Sequence, residues 1–100
     1  MVRRRIIWSP RAKRDLFNIL DFYLKRNGNK IYSHKLNASL RAAIRLLEKN
    51  PELGINTDVN NIRNLIHGDY YVFYEIKVDT IEIITVWDSR QDPEKLNLEN

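Results

Sequence analysis

The sequence predicts an α+β fold of order β-α-α-β-β-β, with an antiparallel sheet packed against a helical hairpin. Three observations carry that expectation. Apolar residues recur at three- and four-residue steps through residues 10–49. From residue 62 onward, β-branched and aromatic residues dominate and tight-turn chemistry separates them into short runs. The strands of such a meander have an apolar face, and two amphipathic helices are the only elements available to cover it.

Residues 2–8 mix basic and apolar side chains, and Ile6, Ile7 and Trp8 suit a half-buried first strand. Ser9-Pro10 reads as a helix start, since a serine oxygen can accept from a free backbone N–H and proline tolerates the first helical position. Ala12, Leu16, Ile19, Leu20, Tyr23 and Leu24 form the apolar face of a first helix ending near residue 26, with Asn27-Gly28 suited to a left-handed cap. A second helix is expected from about Lys30 to Lys49, with Tyr32, Leu36, Leu40, Ala43, Ile44 and Leu47 facing inward. Its other face carries Lys30, His34, Arg41, Arg45 and Lys49, a cationic ridge. Asn50-Pro51 stops that helix, and residues 50–60, with Pro51, Gly54, Asn56, Asp58 and Asn60, read as a mobile loop. Strands are then expected at Ile62–Ile66, Tyr70–Lys77 and Ile81–Trp87, turning at Gly68-Asp69 and near Asp79. By strict alternation, Tyr70, Val72, Tyr74 and Ile76 share one face, and Ile81, Ile83 and Thr85 lie opposite Glu82, Ile84 and Val86.

A chain of this length buries roughly 60–65% of its unfolded surface, which is enough for one core, so residues 1–100 are expected to be a single domain. The 43% hydrophobic and 30% charged composition is that of a soluble globular protein. No apolar run approaches the roughly 18 residues of a membrane span, and the amino terminus lacks the apolar stretch of a signal peptide. A cytoplasmic protein is the expectation. With 0 cysteines and 2 histidines, neither disulfides, a metal site nor any cofactor is expected. Seventeen basic residues against 13 acidic ones give a net charge of +4, which favours nucleic acid, the ribosome or an acidic protein as partner.

Several residues are candidates for contact or chemistry, each with a structural alternative. Arg63 would meet an anionic partner from an open sheet face, or pair with a nearby carboxylate as a solvated strand residue. Arg90 follows the last strand, where loop residues reach partners freely. His67 has the titration range for proton transfer, although a lone turn histidine is usually only exposed. Glu75 shares a strand face with Tyr71 and Lys77, and a cross-strand ion pair is the simpler reading. Tyr71 and Tyr74 offer surfaces on which bases can stack, or fill a core edge. Trp87 is read as a packing anchor rather than a contact residue.

Three segments taken together, Asn61-Ile62-Arg63-Asn64-Leu65, Gly68-Asp69-Tyr70-Tyr71-Val72-Phe73-Tyr74-Glu75-Ile76 and Val86-Trp87-Asp88-Ser89-Arg90-Gln91-Asp92-Pro93, resemble the carboxyl half of a toxin of the RelE/ParE superfamily. Trp8-Ser9-Pro10 with Ala12, Asp15 and Leu16 is similar to the strand-to-helix entry of ParE-like members. The resemblance implies the same β-α-α-β-β-β order and the role of toxin in a bacterial type II toxin–antitoxin, or plasmid stabilisation, system.

Within the superfamily, the ribosome-dependent ribonucleases hold the scissile phosphate on basic side chains of the central strands and use a carboxyl-terminal Tyr or His in proton transfer. Arg63 and Arg90 match such phosphate-binding positions. Tyr71 stands where many members have Arg, and no Tyr or His follows Arg90. The ParE branch poisons DNA gyrase without cleaving nucleic acid, and the Trp87–Pro93 segment lies closer to that branch. The resemblance therefore implies a toxin neutralised by an acidic antitoxin in a hetero-oligomer and acting by binding to gyrase or another target. Arg63, Tyr71, Arg90, Lys30, Arg41 and Arg45 are its candidate contacts. The alternatives are a messenger endoribonuclease using Arg63 and Arg90 with His67 or Glu75 as base, and a non-toxic nucleic-acid-binding module.

Overall fold

A computed structural model describes residues 3–98. In chain order the elements are β1 (Arg5–Trp8), α1 (Pro10–Asn27), α2 (Ile31–Arg45), 3₁₀ turns at Leu46–Glu48 and Pro51–Leu53, β2 (Ile55–Asn56), β3 (Ile62–His67), β4 (Tyr70–Ile76), β5 (Thr80–Asp88) and a 3₁₀ turn at Pro93–Lys95. The first strand is shorter than expected. Arg3 and Arg4 lie before it, and Val2 falls outside the described residues.

Ser9 caps α1 as its side chain predicts. Its oxygen accepts from the Ala12 N–H at 3.0 Å, and its hydroxyl donates to the Ile84 carbonyl at 3.0 Å, so the cap also ties the helix to β5. Gly28 ends α1 at φ 71°, the left-handed region open to glycine. The two helices form the expected hairpin.

The sheet order is β1-β5-β4-β3-β2. The meander β3-β4-β5 and the β2–β3 pair are antiparallel, while β1 runs parallel to β5 from Arg5↔Thr80 to Trp8↔Ile83. The expected antiparallel sheet is thus completed by one parallel edge strand. The Arg5 N–H to the Asp79 carbonyl at 3.1 Å and the Ser9 N–H to the Ile83 carbonyl at 3.0 Å extend that ladder at both ends, which satisfies the backbone of a strand only 4 residues long.

The helix-side core joins Leu16, Leu36, Leu40, Ile44 and Leu47 to Leu65, Tyr70, Val72, Tyr74, Ile81, Ile83 and Val86. Val86 departs from strict alternation. Tyr74 pairs with Ile83 and Phe73 with Thr85, so Ile84 is an extra residue that shifts the phase of β5. Ile84 packs on the far face with Ile62 and Phe73, as alternation has it, while Val86 beyond the bulge joins the helix-side core. That face is not open, because Tyr71, Trp87, Leu96 and Leu98 pack over the same cluster. Tyr32, expected inside, is exposed and lies against Tyr23 with ring centroids 4.6 Å apart.

Residues 50–60 also differ from the expected mobile loop. The Tyr74 hydroxyl donates to the Pro51 carbonyl at 2.6 Å and accepts the Gly54 N–H at 2.9 Å, and these bonds hold the segment against β3 so that β2 forms.

Candidate functional site

At the end of the sheet where β5 finishes, side chains from α1, β4 and the segment after β5 converge. Arg90 donates from Nε to Asp88 Oδ1 at 2.9 Å and from Nη2 to Asp88 Oδ2 at 2.8 Å. The same Nη2 donates to the Tyr23 hydroxyl at 3.1 Å, and Asp69 stands 3.8 Å from Nη1. The Tyr70 hydroxyl donates to the Tyr23 oxygen at 3.1 Å. Two donors on one phenol oxygen favour its anion, so the Tyr23 pKa is lowered, first by the Tyr70 bond and then by Arg90. The Tyr70 pKa is raised, chiefly by burial and then by its bond to Tyr23. Arg90's side-chain hydrogen bonds hold the Asp88 carboxyl below its usual range. Beside this network lies a hollow of about 400 Å³ lined by Asp15, Asn18, Phe22, Tyr23, Trp87 and Asp88 among others. Thr85 donates to Asp15 there at 2.5 Å.

Arg63 occupies the opposite end of the sheet. It donates from Nε to the Gly54 carbonyl at 2.8 Å, from Nη1 to Asn56 Oδ1 at 2.8 Å and from Nη2 to the Glu52 carbonyl at 3.1 Å. The guanidinium therefore fastens the 50–56 segment instead of facing outward from an open sheet. Arg63 lies across from Tyr74, whereas Arg90 follows Asp88, which lies across from Tyr70. Four residues along β4 separate the two rows, about 13 Å at the usual strand rise. One phosphate does not bridge that gap.

His67 shares the Tyr70–Asp88 row, and its Nε2 lies 2.5 Å from the Ser39 hydroxyl of α2. Glu75 is at the Arg63 end, in register with Ile62 and Glu82, and the ion pair expected on its face forms instead between Lys77 and Glu82 at 3.3 Å. Tyr71 meets Phe73 edge-on at 6.0 Å between ring centroids, in the far-face cluster. The two bases proposed for a ribonuclease are thus separated from each other, each near one arginine.

The cationic ridge is exposed as expected. Lys30, His34 and Arg41, joined by Lys13 from α1, edge a groove of about 460 Å³ between the helices, whose apolar lining includes Leu16, Phe17, Leu20 and Leu24. Phe17 is 57% exposed there. Arg41 also stacks its guanidinium 5.1 Å from the Trp8 ring centroid, and Arg45 lines the small recess beside that ring. Asp21, the one carboxylate in the groove lining, is paired with Lys25 at 3.0 Å.

Two residues of the polar network escape sequence reasoning. Tyr23 reads only as part of an apolar helix face. Asp88 has a local signal, because an aspartate two residues before Arg90 can accept its backbone N–H, a bond present at 2.9 Å. Among the described residues no group of three or more side chains could hold a metal ion, and no helix is long and apolar enough to cross a membrane.

Residues 6–93 match the family model described as the ParE toxin of the type II toxin–antitoxin system, parDE. Among solved structures, a chain from the "Chromosomal ParDE TA system from P. aeruginosa" superposes with a TM-score of 0.75 at 19% identity, covering 85% of this chain and 95% of that one. No curated protein gives a significant match. A family match running from β1 to the turn after β5, on a fold shared with that solved chain, means that this protein belongs to the ParE toxin family of type II toxin–antitoxin systems.

Proposed function

We propose that the protein is restrained by an acidic antitoxin whose amphipathic helix lies in the α1–α2 groove, and that once free it acts in the cytoplasm by binding DNA gyrase rather than by cutting RNA. The observation that carries the first part is the groove itself: an apolar floor open to solvent, edged by Lys13, Lys30, His34 and Arg41 in a chain of net charge +4. A helix with an apolar face and acidic flanks is the complement of that surface. The likeness to a chain of the P. aeruginosa ParDE system supports a partner of this kind.

The preference for binding over cleavage is supported by the placement of the cations. Attack of a ribose 2′-OH on its phosphate needs positive charge, a base and an acid around one atom. Here Arg63 and Arg90 stand at opposite ends of the sheet, and both guanidinium groups are occupied by acceptors of the same chain. Gyrase as the target rests on the likeness to the ParE branch.

Expression of the chain alone in bacteria should arrest growth, and co-expression of an acidic protein encoded in the adjacent reading frame should restore it. Purified protein should inhibit gyrase supercoiling and leave messenger intact on translating ribosomes. Codon-phased cuts without gyrase inhibition would overturn the target assignment. Full growth at high expression would overturn the toxin reading of this chain's activity.

A further inference from the structure

Charge is divided unevenly along the chain. Residues 1–50 hold 13 Lys and Arg against 3 Asp and Glu, a net +10, while residues 51–100 hold 4 against 10, a net −6. The division is spatial as well, because the first half builds β1, α1 and α2, and the second builds the rest of the sheet and its turns. The helical layer therefore carries a stronger positive field than the total of +4 suggests. Such asymmetry between halves points to a polyanionic partner.

The positive layer reaches beyond the α1–α2 groove. The Arg41 guanidinium stands over Trp8 and is fixed by donating from Nε to Asn37 Oδ1 at 2.9 Å, and the recess beside it is lined by Ile6 and Arg45. From Arg41 through Arg45 to Lys49, α2 and the turn that follows thus run toward the start of β1, where Arg3 and Arg5 are exposed. Arg41 to Lys49 spans about 12 Å at the helical rise. The side chains of Arg3, Arg5, Arg45 and Lys49 make no hydrogen bond or ion pair among the described residues. Between residues 22 and 51 there are 7 Lys and Arg and a single carboxylate, Glu48. Repulsion among these cations is left uncompensated within the chain, and an anionic partner removes it.

The shape of this end of the layer narrows the chemistry of the partner. The recess by Trp8 is only about 80 Å³, which admits neither a helix nor a large side chain, so a partner meets the strip through charge. The Trp8 ring lies under Arg41 and is not free to stack on an unpaired base, the contact on which single-strand binding depends. A row of cations without a stacking platform is the complement of a duplex backbone, whose phosphates recur at regular steps. We infer that the strip formed by Arg41, Arg45 and Lys49 with Arg3 and Arg5 holds the phosphates of duplex DNA without reading its sequence. The strip is separate from the antitoxin groove except at Arg41, which borders both. The choice of DNA over duplex RNA rests on the reading of gyrase, an enzyme that carries duplex DNA, as the target. The strip seats the free toxin on the DNA that gyrase holds.

The test is the binding of the purified full chain to a short fluorescent DNA duplex of arbitrary sequence, followed by anisotropy between about 50 and 200 mM salt. Affinity should fall along a log–log slope of about −4 to −5, as five phosphate contacts require, and a second sequence should bind equally well. Arg45→Gln combined with Lys49→Gln should reduce the steepness of that slope by about 2 and weaken binding at least about tenfold at low salt. Arg26→Gln combined with Lys95→Gln removes as much charge, at the far end of α1 and in the turn after β5, and should bind nearly as the parent does. Arg3→Gln combined with Arg5→Gln should lose affinity like the first pair and covers the case in which that pair does not fold. Equal losses in the Arg45/Lys49 and Arg26/Lys95 pairs would mean that net charge alone attracts DNA, and would overturn the strip. Tighter binding of an RNA duplex of the same length would overturn DNA as its ligand. If the parent binds no duplex yet inhibits gyrase supercoiling, the strip is wrong and the gyrase reading stands. If the parent binds DNA through the strip yet leaves gyrase active, the strip stands and the gyrase reading fails.

Discussion

The two arginines that the sequence presents as equivalent differ in what their hydrogen bonds hold. Arg63 binds two backbone carbonyls and one side chain of the 50–56 segment, so Arg63→Ala leaves the buried Gly54 carbonyl without its donor. A cost of about 1–2 kcal/mol is expected, seen as a fall in melting temperature of roughly 4–15 °C for a domain of this size. Arg90→Ala, in an exposed turn, should melt as the parent does. Equal melting temperatures for the two variants would contradict the fastening role of Arg63. The tyrosines give a second residue-scale prediction, with its sign set by the pKa directions. Tyr70 and Tyr74 are raised above 10.0, chiefly by burial, and Tyr23 is lowered. A group whose folded pKa is raised contributes stability that is present below its unfolded pKa and lost as pH rises through the folded value. Unfolding experiments should therefore show stability falling from about pH 10 upward, less steeply in Tyr70→Phe. In the parent, phenolate absorbance should show one tyrosine ionising early, and that early step should move upward in Tyr70→Phe, where Tyr23 has lost its first donor.

Between β2 and β4 a whole element depends on one phenol and one glycine. The Tyr74 hydroxyl is bonded to both Pro51 and Gly54, and a Cβ at Gly54 would fall 2.7 Å from that oxygen and 2.8 Å from the Asn64 carbonyl. Both Tyr74→Phe and Gly54→Ala should cost about 1–3 kcal/mol, the first by leaving a buried N–H unpaired and the second by overpacking. Limited proteolysis should then cut within residues 50–60 of either variant and spare the parent. Cleavage of the parent there at the same rate would show that the segment is not held. This element also marks where sequence reasoning stopped. Periodicity located both helices, the Ser9 and Gly28 caps and the three-strand meander, because those rest on local spacing and capping chemistry. It missed β2 and the bulge at Ile84, since each is set by a contact distant in sequence: Tyr74 reaching Pro51, and the pairing of β5 against β4. Strict period-two counting therefore misplaced Val86. The resemblance pointed to Arg63 and Arg90 as sites, but their partners, Gly54, Asn56 and Tyr23, became visible only once the strands were paired.

Across the whole molecule, the surfaces divide by chemistry. The side of the sheet away from the helices is closed by Tyr71, Trp87, Leu96 and Leu98, so it offers no broad face for stacking bases. The helical side instead presents an apolar groove edged with cations, in a chain whose net charge is +4. Such a surface predicts separable effects for one substitution. Phe17 is 57% exposed and lies outside both core clusters, so Phe17→Asp should change stability by no more than about 0.5 kcal/mol. In the complex, however, the aspartate would be buried in an apolar groove facing a partner that is itself acidic, an unpaired charge that costs several kcal/mol. Antitoxin affinity should fall by at least about a hundredfold while growth arrest by the free protein persists, giving a toxin that its antitoxin no longer silences. The measurement is a growth assay with and without the antitoxin, beside a thermal melt of the purified variant. If Phe17→Asp melts normally and is still neutralised, the antitoxin does not use this groove. If it is folded but no longer arrests growth, the groove belongs to target binding, and the division of surfaces proposed here is reversed.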